Sequence, residues 1–209
     1  MKIILASKSP RRREILQNLG IEFEIITADT DESSEIREPS ELVSCLALRK
    51  GEAVARAIEN DAENVEKERI LVISSDTLVA VDGEILGKPS DLSDAKRMLR
   101  KIKGRAHSVY SGIAITELVD GKINKSFASA ERTDVYFADM SDGEIELYVN
   151  TEKVLDKAGA YAIQGVASAW IEKIDGDYFN VVGLPVRRLF KVLSEEFSVK
   201  PEDVIKRLN

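Results

Sequence analysis

Cysteine and histidine are nearly missing from this 209-residue chain, which contains one of each. The single cysteine, Cys45, allows no internal disulfide bond and is typical of a protein from a reducing compartment. Zinc sites built from clusters of cysteine and histidine are nearly excluded for the same reason. Any bound metal is therefore expected to be a hard divalent cation held by carboxylates.

The sequence also lacks a long apolar run and an excess of basic residues. No stretch is long enough to span a bilayer, and no apolar signal segment follows the start. The net charge of −7 disfavours a general nucleic-acid binder. We therefore predict a cytoplasmic protein without nucleic-acid or membrane partners. The length suffices for one sizeable α/β domain or two small ones.

The first motif is a short apolar strand that leads into a helix with an unusual charge distribution. Ser9 is suited to the N-cap and Pro10 to the first helical position. The next three residues are Arg11, Arg12 and Arg13. Each cation near a helix N-terminus costs about 0.3–1 kcal/mol, because the helix dipole is positive there.

A bound anion would resolve this charge conflict at the start of the helix. Free backbone N–H groups, the hydroxyl groups of Ser7 and Ser9, and the guanidinium groups of Arg11 and Arg12 all suit phosphate. The alternative is a solvated basic turn beside a strand. We favour the phosphate site.

The most apolar stretch, residues 70–81, is interrupted by the polar run Ser74-Ser75-Asp76-Thr77. Its composition predicts a strand that is buried on both faces. A buried carboxylate without a partner costs several kcal/mol, so Asp76 requires a metal ion, a lysine or backbone donors. The alternative to a functional role is a structural aspartate whose hydrogen bonds are satisfied.

Two lysines and an acidic loop supply further charged candidates. Lys50 lies within the apolar stripe of a helix predicted from Pro39 to Ile58, where it either extends to solvent or points at a bound phosphate. Lys88 lies in a tight Gly-Lys-Pro turn. The acidic loop 27–35 is mostly solvated in our interpretation, and one or two of its carboxylates are candidates for a divalent cation.

The remaining pattern alternates strands, hairpin turns and helices. A second strand is expected at 23–26, a loop or helix end at 60–69, strands at 113–118, 126–137 and 167–174, and helices from about 93, 141, 186 and 201. The loop 156–165 carries Gln164, whose amide suits a base edge. His107 is expected to be structural, because no nucleophile motif adjoins it.

Taken together, the cations, the carboxylates and the serine-rich helix start suit phosphoryl or nucleotidyl chemistry. There is no Walker-type loop and no GxGxxG. Eight segments in order resemble the motifs of the Maf family of nucleotide pyrophosphatases. They are Leu5-Ala6-Ser7-Lys8-Ser9-Pro10-Arg11-Arg12, Asp31-Glu32, Leu46-Ala47-Leu48-Arg49-Lys50, Ser75-Asp76-Thr77, Gly87-Lys88-Pro89, His107-Ser108-Val109-Tyr110-Ser111-Gly112, the segment 156–165, and Asn180-Val181-Val182-Gly183-Leu184-Pro185.

The resemblance implies a mixed α/β fold with a twisted central sheet flanked by helices, similar to the inosine triphosphate pyrophosphatases. It implies a single domain over residues 1–209 with a central cleft. The implied reaction is hydrolysis of a nucleoside triphosphate to the monophosphate and pyrophosphate, with Mg²⁺ or Mn²⁺ as cofactor. The combination of specificity residues resembles the subgroup that acts on dTTP and UTP.

The resemblance also implies a role for each matching residue. Asp76 corresponds to the proposed general base and, with Glu32, to the metal site. Phosphate and metal contacts are implied for Ser7, Arg12, Glu32, Lys50 and Lys88. Substrate choice is associated with Arg11, Thr77 and Gln164.

Three departures from the family pattern affect the prediction of the preferred base. Ser111 stands where the family usually has threonine, Ala162 replaces a usual glycine, and the usual proline before Asp156 is missing. A pyrophosphatase for 7-methyl-GTP or CTP therefore remains an alternative. Another is a nucleotide-binding regulator of septum formation with little turnover, and a weaker third is a general phosphatase. A homodimer is compatible with the resemblance.

Overall fold

The computed structural model describes residues 1–61 and 68–206. Its strands are β1 (Lys2–Leu5), β2 (Glu24–Ile25), β3 (Ile70–Val81), β4 (Glu84–Leu86), β5 (Arg105–Val119), β6 (Lys122–Phe137) and β7 (Ile171–Asp175). Its α-helices are α1 (Pro10–Asn18), α2 (Pro39–Asn60), α3 (Leu92–Ile102), α4 (Asp142–Thr151), α5 (Tyr178–Val182), α6 (Val186–Phe197) and α7 (Pro201–Val204). Two short 3₁₀ helices lie at Ala158–Ala160 and Gly165–Trp170.

The described strands form one mixed sheet in the order β2-β1-β3-β5-β6-β7, with β4 paired to β3 beside this path. Strand β1 is parallel to β2 and β3, whereas β3, β5, β6 and β7 are joined by antiparallel ladders. Helices pack against this sheet, notably α2 on β3, β5 and β6. The expected mixed α/β architecture with flanking helices is confirmed.

Strand β3 lies at the centre of the sheet and runs without a break from Ile70 to Val81. The polar run Ser74–Thr77 does not interrupt it, because β5 pairs with these residues as well as with the apolar ones. In this register Asp76 is opposite Gly112, and Thr77 is opposite Ser111. A carboxylate and a hydroxyl are thereby held on a central strand, where the ladder to β5 fixes their backbone.

Helix α2 lies unusually close to the sheet at two glycines. A Cβ on Gly51 would come within 2.7 Å of Ser74 Oγ, and one on Gly112 within 2.1 Å of the Val43 carbonyl oxygen. Distances this short exclude any larger side chain unless the helix moves away. The close contact places the residue next to Gly51, which is Lys50, over the polar part of β3.

Several sequence-based boundaries need correction. The segment predicted as a strand over 167–174 begins as the 3₁₀ helix Gly165–Trp170, in which Ser168 Oγ donates to the Gly165 carbonyl. Strand β2 has two residues instead of the four expected from 23 to 26. Strand β5 begins at Arg105, eight residues before the predicted start at 113. Most of the predicted loop or helix end at 60–69 lies outside the described residues.

Helix starts are set by side chains that the sequence only partly revealed. Asp91 caps α3 by accepting a hydrogen bond from the Asp94 N–H, so the helix begins at Leu92. Ser9 occupies the N-cap of α1 as predicted, but its side chain makes no capping hydrogen bond. Within the described ranges, no helix combines the length and apolarity needed to cross a membrane.

Candidate active site

All of the predicted site residues line one cavity of about 480 Å³ at the end of the parallel strands. The contributing elements are the start of α1, the acidic loop, α2, β3, the turn after β4 and the loop before the second 3₁₀ helix. The predicted residues that the cavity brings together are Ser7, Ser9, Arg11, Arg12, Glu32, Lys50, Asp76, Thr77, Lys88 and Gln164. Their chemical roles stay predictions at this point.

The centre of the cavity holds two carboxylates that share one ammonium group. Lys50 Nζ lies 2.5 Å from Asp76 Oδ1 and 2.7 Å from Glu32 Oε1. The hydrogen bond from Lys50 lowers the pKa of the Glu32 carboxyl, and the positive charges of Lys50, Lys88 and Arg12 lower it further. The partner that Asp76 required is therefore Lys50, and the same ammonium favours the charged form of Glu32.

This cluster fits a hard divalent cation. The Lys50 ammonium lies between two carboxylate oxygens, where a metal ion could take its place. Carboxylate oxygens are the ligands that Mg²⁺ and Mn²⁺ prefer. In the described part of the chain, no group of three or more histidine, cysteine, aspartate or glutamate side chains could hold a metal. Glu32 and Asp76 would therefore supply two ligands, and phosphate and water oxygens the others, as is usual for Mg²⁺.

Arg12 has a guanidinium group that is held only by neutral acceptors. Its Nε donates to the Gly183 carbonyl at 2.8 Å, its Nη1 to Ser7 Oγ at 3.1 Å and its Nη2 to Thr77 Oγ1 at 3.1 Å. No carboxylate of the described residues forms an ion pair with it. Burial lowers the pKa of Arg12 to about 10, against the opposing effect of the Asp76 charge, so the group stays positive at neutral pH.

A partly buried cation with fixed orientation and no anionic contact is a strong anion site. Three of the five N–H donors of the guanidinium set its orientation without neutralising its charge. The two remaining donors are available to a phosphate group. The geometry thus supports the phosphate interpretation of the first turn over a solvated basic turn.

The two serines at the start of α1 contribute differently. Ser7 is 8% exposed, and its Oγ accepts from the Ser9 N–H and from Arg12 Nη1. The hydroxyl proton of Ser7 has no acceptor in the described ranges, so it can be donated to an oxyanion. Ser9 does not cap the helix with its side chain, which leaves the first-turn N–H groups uncovered on the cavity side.

The acidic loop is anchored to α2 through its backbone. Arg49 donates to the Ser33 carbonyl at 2.7 Å, and Asp31 accepts from the N–H and Oγ of Ser33. These contacts form a local turn. The side chain of the neighbouring Glu32 extends from this turn to Lys50. Asp31 itself does not line the cavity, so only one of this acidic pair reaches the centre.

The residues associated with substrate choice lie in different surroundings. Arg11 Nη1 is 3.9 Å from Asp156 Oδ2, and Asp156 also pairs with the buried Lys157.

Gln164 is exposed at the cavity and makes no side-chain hydrogen bond to the described residues. The Thr77 hydroxyl, in contrast, is engaged by Arg12 and Ser111. Gln164 therefore has the free donor and acceptor that reading a base edge needs, and Thr77 does not.

His107 lies outside the cavity lining, as expected for a structural histidine. It is 3% exposed, and its Nε2 is 2.7 Å from the hydroxyl of Tyr161, which does line the cavity. Burial lowers the pKa of His107 to about 4 and raises the pKa of Tyr161. Both side chains are therefore neutral at pH 7, and His107 supports one wall of the cavity.

Sequence reasoning missed a supporting layer below the cavity. The Gly183 carbonyl accepts from both Arg12 Nε and Ser75 Oγ, the second at 3.0 Å. Gly183 has a φ of +118°, which favours glycine over other residues. Ser111 and Asn180 extend this layer from β5 and α5. The only sequence signal for it was the occurrence of Ser75, Ser111, Asn180 and Gly183 in three of the eight motifs.

Comparison with known protein families gives one match over nearly the whole chain. The family model described as "Maf-like protein" matches residues 2–196. This match agrees with the order of the eight motifs.

Individual relatives cover almost the same range. A dTTP/UTP pyrophosphatase from Caldanaerobacter subterraneus subsp. tengcongensis is 50% identical over 200 residues, which are 96% of this chain and 91% of that protein. A dTTP/UTP pyrophosphatase from Thermoanaerobacter sp. is 46% identical over 200 residues, covering 96% of this chain and 99% of that protein.

Among solved structures, a nucleoside-triphosphatase / dITP/XTP pyrophosphatase from Mycobacterium abscessus is similar with a TM-score of 0.38 and 16% identity. The alignment covers 67% of this chain and 76% of that chain.

Proposed function

The chain belongs to the Maf family, and from this premise we propose that it hydrolyses dTTP and UTP to the nucleoside monophosphate and pyrophosphate. The proposal depends on one observation: anionic and cationic side chains line the same cavity. Two carboxylates face a partly buried arginine that has no anionic partner in the described ranges. The names of relatives that are 46–50% identical over 96% of the chain support the choice of nucleotides.

The phosphate chain of the substrate would lie along the cations of the cavity. Arg12 presents two free N–H donors, Ser7 a hydroxyl proton, and Lys88 an exposed ammonium in its tight turn. These groups stabilise the negative charge that grows on the pyrophosphate leaving group as the bond to the α-phosphorus breaks. Because most of them are fixed before the substrate arrives, little reorganisation is needed during the reaction.

Glu32 and Asp76 would hold a divalent cation, Mg²⁺ or Mn²⁺, between their carboxylates. When bound, such an ion polarises phosphate oxygens and lowers the pKa of an attacking water. Asp76 accepts the proton of that water as it attacks the α-phosphorus. With both carboxylates engaged by such a cation, the Lys50 ammonium would be free to donate to a phosphate oxygen.

Base selection is assigned to the rim of the cavity. Gln164 has a free amide that can donate to and accept from a pyrimidine edge. Arg11 approaches from the first turn of α1, and its guanidinium lies 3.9 Å from the Asp156 carboxylate. We propose that Thr77 contributes indirectly, because its hydroxyl is bonded to Arg12.

The cleft draws its residues from most of the chain, from Ser7 to Gly183. This range supports our proposal that residues 1–209 form one domain. A nucleotide substrate and a single cysteine are in keeping with a cytoplasmic role in clearing the nucleotide pool. We propose no nucleic-acid partner.

The decisive experiment offers the purified protein dTTP, UTP, CTP and 7-methyl-GTP with Mg²⁺ or Mn²⁺ and separates the products. Monophosphate and pyrophosphate from dTTP or UTP are the expected result. The same products from CTP or 7-methyl-GTP alone would retain the reaction and overturn the proposed base. Release of orthophosphate would indicate a general phosphatase, and binding without turnover a regulator.

A further inference from the structure

Ser111 lies on β5 and is fully buried, outside the lining of the cavity. Its hydroxyl is nevertheless connected to the cavity through Thr77. Ser111 Oγ is 2.8 Å from Thr77 Oγ1, and Thr77 Oγ1 is 3.1 Å from Arg12 Nη2. The Ser111 hydroxyl also donates to the backbone carbonyl oxygen of Asn180 at 2.8 Å. These four residues form what we call the hydroxyl chain.

The direction of each hydrogen bond in the hydroxyl chain follows from its ends. A carbonyl oxygen can only accept, so the single hydroxyl proton of Ser111 goes to Asn180. Ser111 Oγ must then accept the proton of Thr77. The lone pairs of Thr77 Oγ1 are thereby turned toward Arg12 Nη2, which can only donate.

The far end of the hydroxyl chain is rigid. The Asn180 side chain is fully buried, and its Nδ2 donates to the Val109 carbonyl and to Thr133 Oγ1, each at 3.0 Å. These bonds hold Asn180, whose backbone carbonyl accepts from Ser111, against β5 and β6. The three hydrogen bonds from Asn180 through Ser111 and Thr77 to Arg12 are 2.8–3.1 Å long. The fixed position of Asn180 therefore restricts the orientation of the Arg12 guanidinium.

We propose that Ser111 is a positioning residue that orients the Arg12 guanidinium toward the phosphates by fixing the proton of the Thr77 hydroxyl. The proposal rests on the proposed function of the same cavity. Without Ser111, the Thr77 hydroxyl loses its acceptor and turns, so one of the three neutral contacts of Arg12 loosens. Charge stabilisation at the leaving group then weakens, although no group touching the substrate has been removed.

The test is a double-mutant cycle between Ser111→Ala and Arg12→Lys, with kcat and KM for dTTP and the Kd for inorganic pyrophosphate measured in all four proteins. In the Arg12 background, Ser111→Ala should lower kcat/KM about tenfold, mostly in kcat, and weaken pyrophosphate binding about fivefold. In the Arg12→Lys background its effect should be twofold or less, because lysine has no planar group to orient.

Two variants separate positioning from simple stability. Ser111→Thr keeps the hydroxyl and should restore kcat to within about threefold of the original protein. Ser108→Ala removes another serine hydroxyl of β5, which contacts Asp134 at 2.6 Å, and should leave kcat/KM unchanged within about twofold. If Ser111→Ala does not fold, Ser111→Cys enters the same cycle, since it keeps the volume and has only a weak donor.

Equal losses from Ser111→Ala in both Arg12 backgrounds would overturn the proposal, and so would kinetics within twofold of the original protein. If the original protein turns over no nucleotide, the proposed function fails instead. The pyrophosphate Kd values then decide on Ser111 alone, because the cycle on binding needs no turnover.

Discussion

The ammonium of Lys50 lies 2.5 Å from Asp76 Oδ1, although the two residues come from different elements, α2 and β3. The same ammonium contacts Glu32 at 2.7 Å. A carboxylate on a central strand is thus stabilised by a cation from a helix that packs on the sheet. The arrangement is ready to accept another cation, because the two carboxylates are already brought together.

Asp76→Asn should abolish most of the activity and keep the fold. The amide cannot accept a proton from water, and it is a poor metal ligand, so we expect kcat to fall about 10²–10⁴-fold. Lys50 retains Glu32 as a partner, which limits the loss of stability. Pyrophosphate release measures the activity, and a urea titration measures the fold.

The matched control is Asp82→Asn, in the exposed turn after β3, where φ is +50° and asparagine is well tolerated. Normal activity is expected there. Turnover by Asp76→Asn at the rate of this control would contradict the assignment of Asp76.

Lys50→Met should strengthen the binding of Mn²⁺ in the absence of nucleotide. The ammonium occupies the oxygens of Glu32 and Asp76 that the metal needs, so its removal eliminates a competing charge. We expect about tenfold tighter binding, measured by electron paramagnetic resonance of free Mn²⁺. Lys8→Met is the control, because Lys8 also lies at the cavity but pairs with Asp29 at 3.7 Å. Equal or weaker Mn²⁺ binding by Lys50→Met would disprove the competition.

Gly51→Ala should destabilise the protein, whereas Gly143→Ala should stabilise it. The new Cβ at position 51 would meet Ser74 Oγ at 2.7 Å and push α2 off the sheet, which costs about 1–3 kcal/mol. At position 143 in α4 the nearest atom is 4.0 Å away, so the gain in helix propensity of about 1 kcal/mol remains. Both free energies of unfolding come from urea titration. A stabilising Gly51→Ala would refute the close packing described for α2.

His107 should make the stability of the protein dependent on pH between about 6.5 and 4. Burial lowers the pKa of the folded-state imidazole from 6.5 to about 4, so the unfolded chain binds more protons in this interval. Stability from this group is fully present above pH 6.5 and is lost as the pH falls toward 4. The loss is about 2 kcal/mol at pH 5, from 1.36 kcal/mol per pKa unit.

The imidazole of His107 can be titrated directly by NMR, since it is the only histidine of the chain. A midpoint near 4 is expected in the folded protein, and one near 6.5 would contradict the burial argument. Unfolding of His107→Gln should show a smaller decrease in stability between pH 6.5 and 5 than the original protein.

Much of the candidate site could be predicted from local chemistry. Three arginines in the first turn of a helix conflict with its dipole, and an aspartate inside an apolar strand requires a partner. Both features are unfavourable for the stability of an isolated helix or strand, and both occur at the cavity. Element boundaries were less predictable. A strand was predicted over 167–174, but residues 167–170 belong to a 3₁₀ helix in which the Ser168 hydroxyl donates to the Gly165 carbonyl.

The layer below the cavity could not be predicted, because its contacts join residues far apart in the chain. Arg12 meets Gly183 across 171 positions, and Ser111 meets Asn180 across 69. Each is a hydrogen bond between ordinary polar groups, and nothing in the local sequence marks either residue as a partner of the other. Only the pairing of β3 with β5 and the packing of α5 bring them together.

The amino-acid sequence sets which chemical groups are available to the site: carboxylates, cations and an amide, with almost no cysteine or histidine. Most strands and helices could also be predicted from it, although not all of their bounds, because periodicity and capping are local properties. Folding brings Lys50 into contact with both Asp76 and Glu32, and it leaves Arg12 without an anionic contact in the described ranges. The reason is physical: the charge a side chain displays depends on which groups lie within a few ångströms, and folding sets those distances.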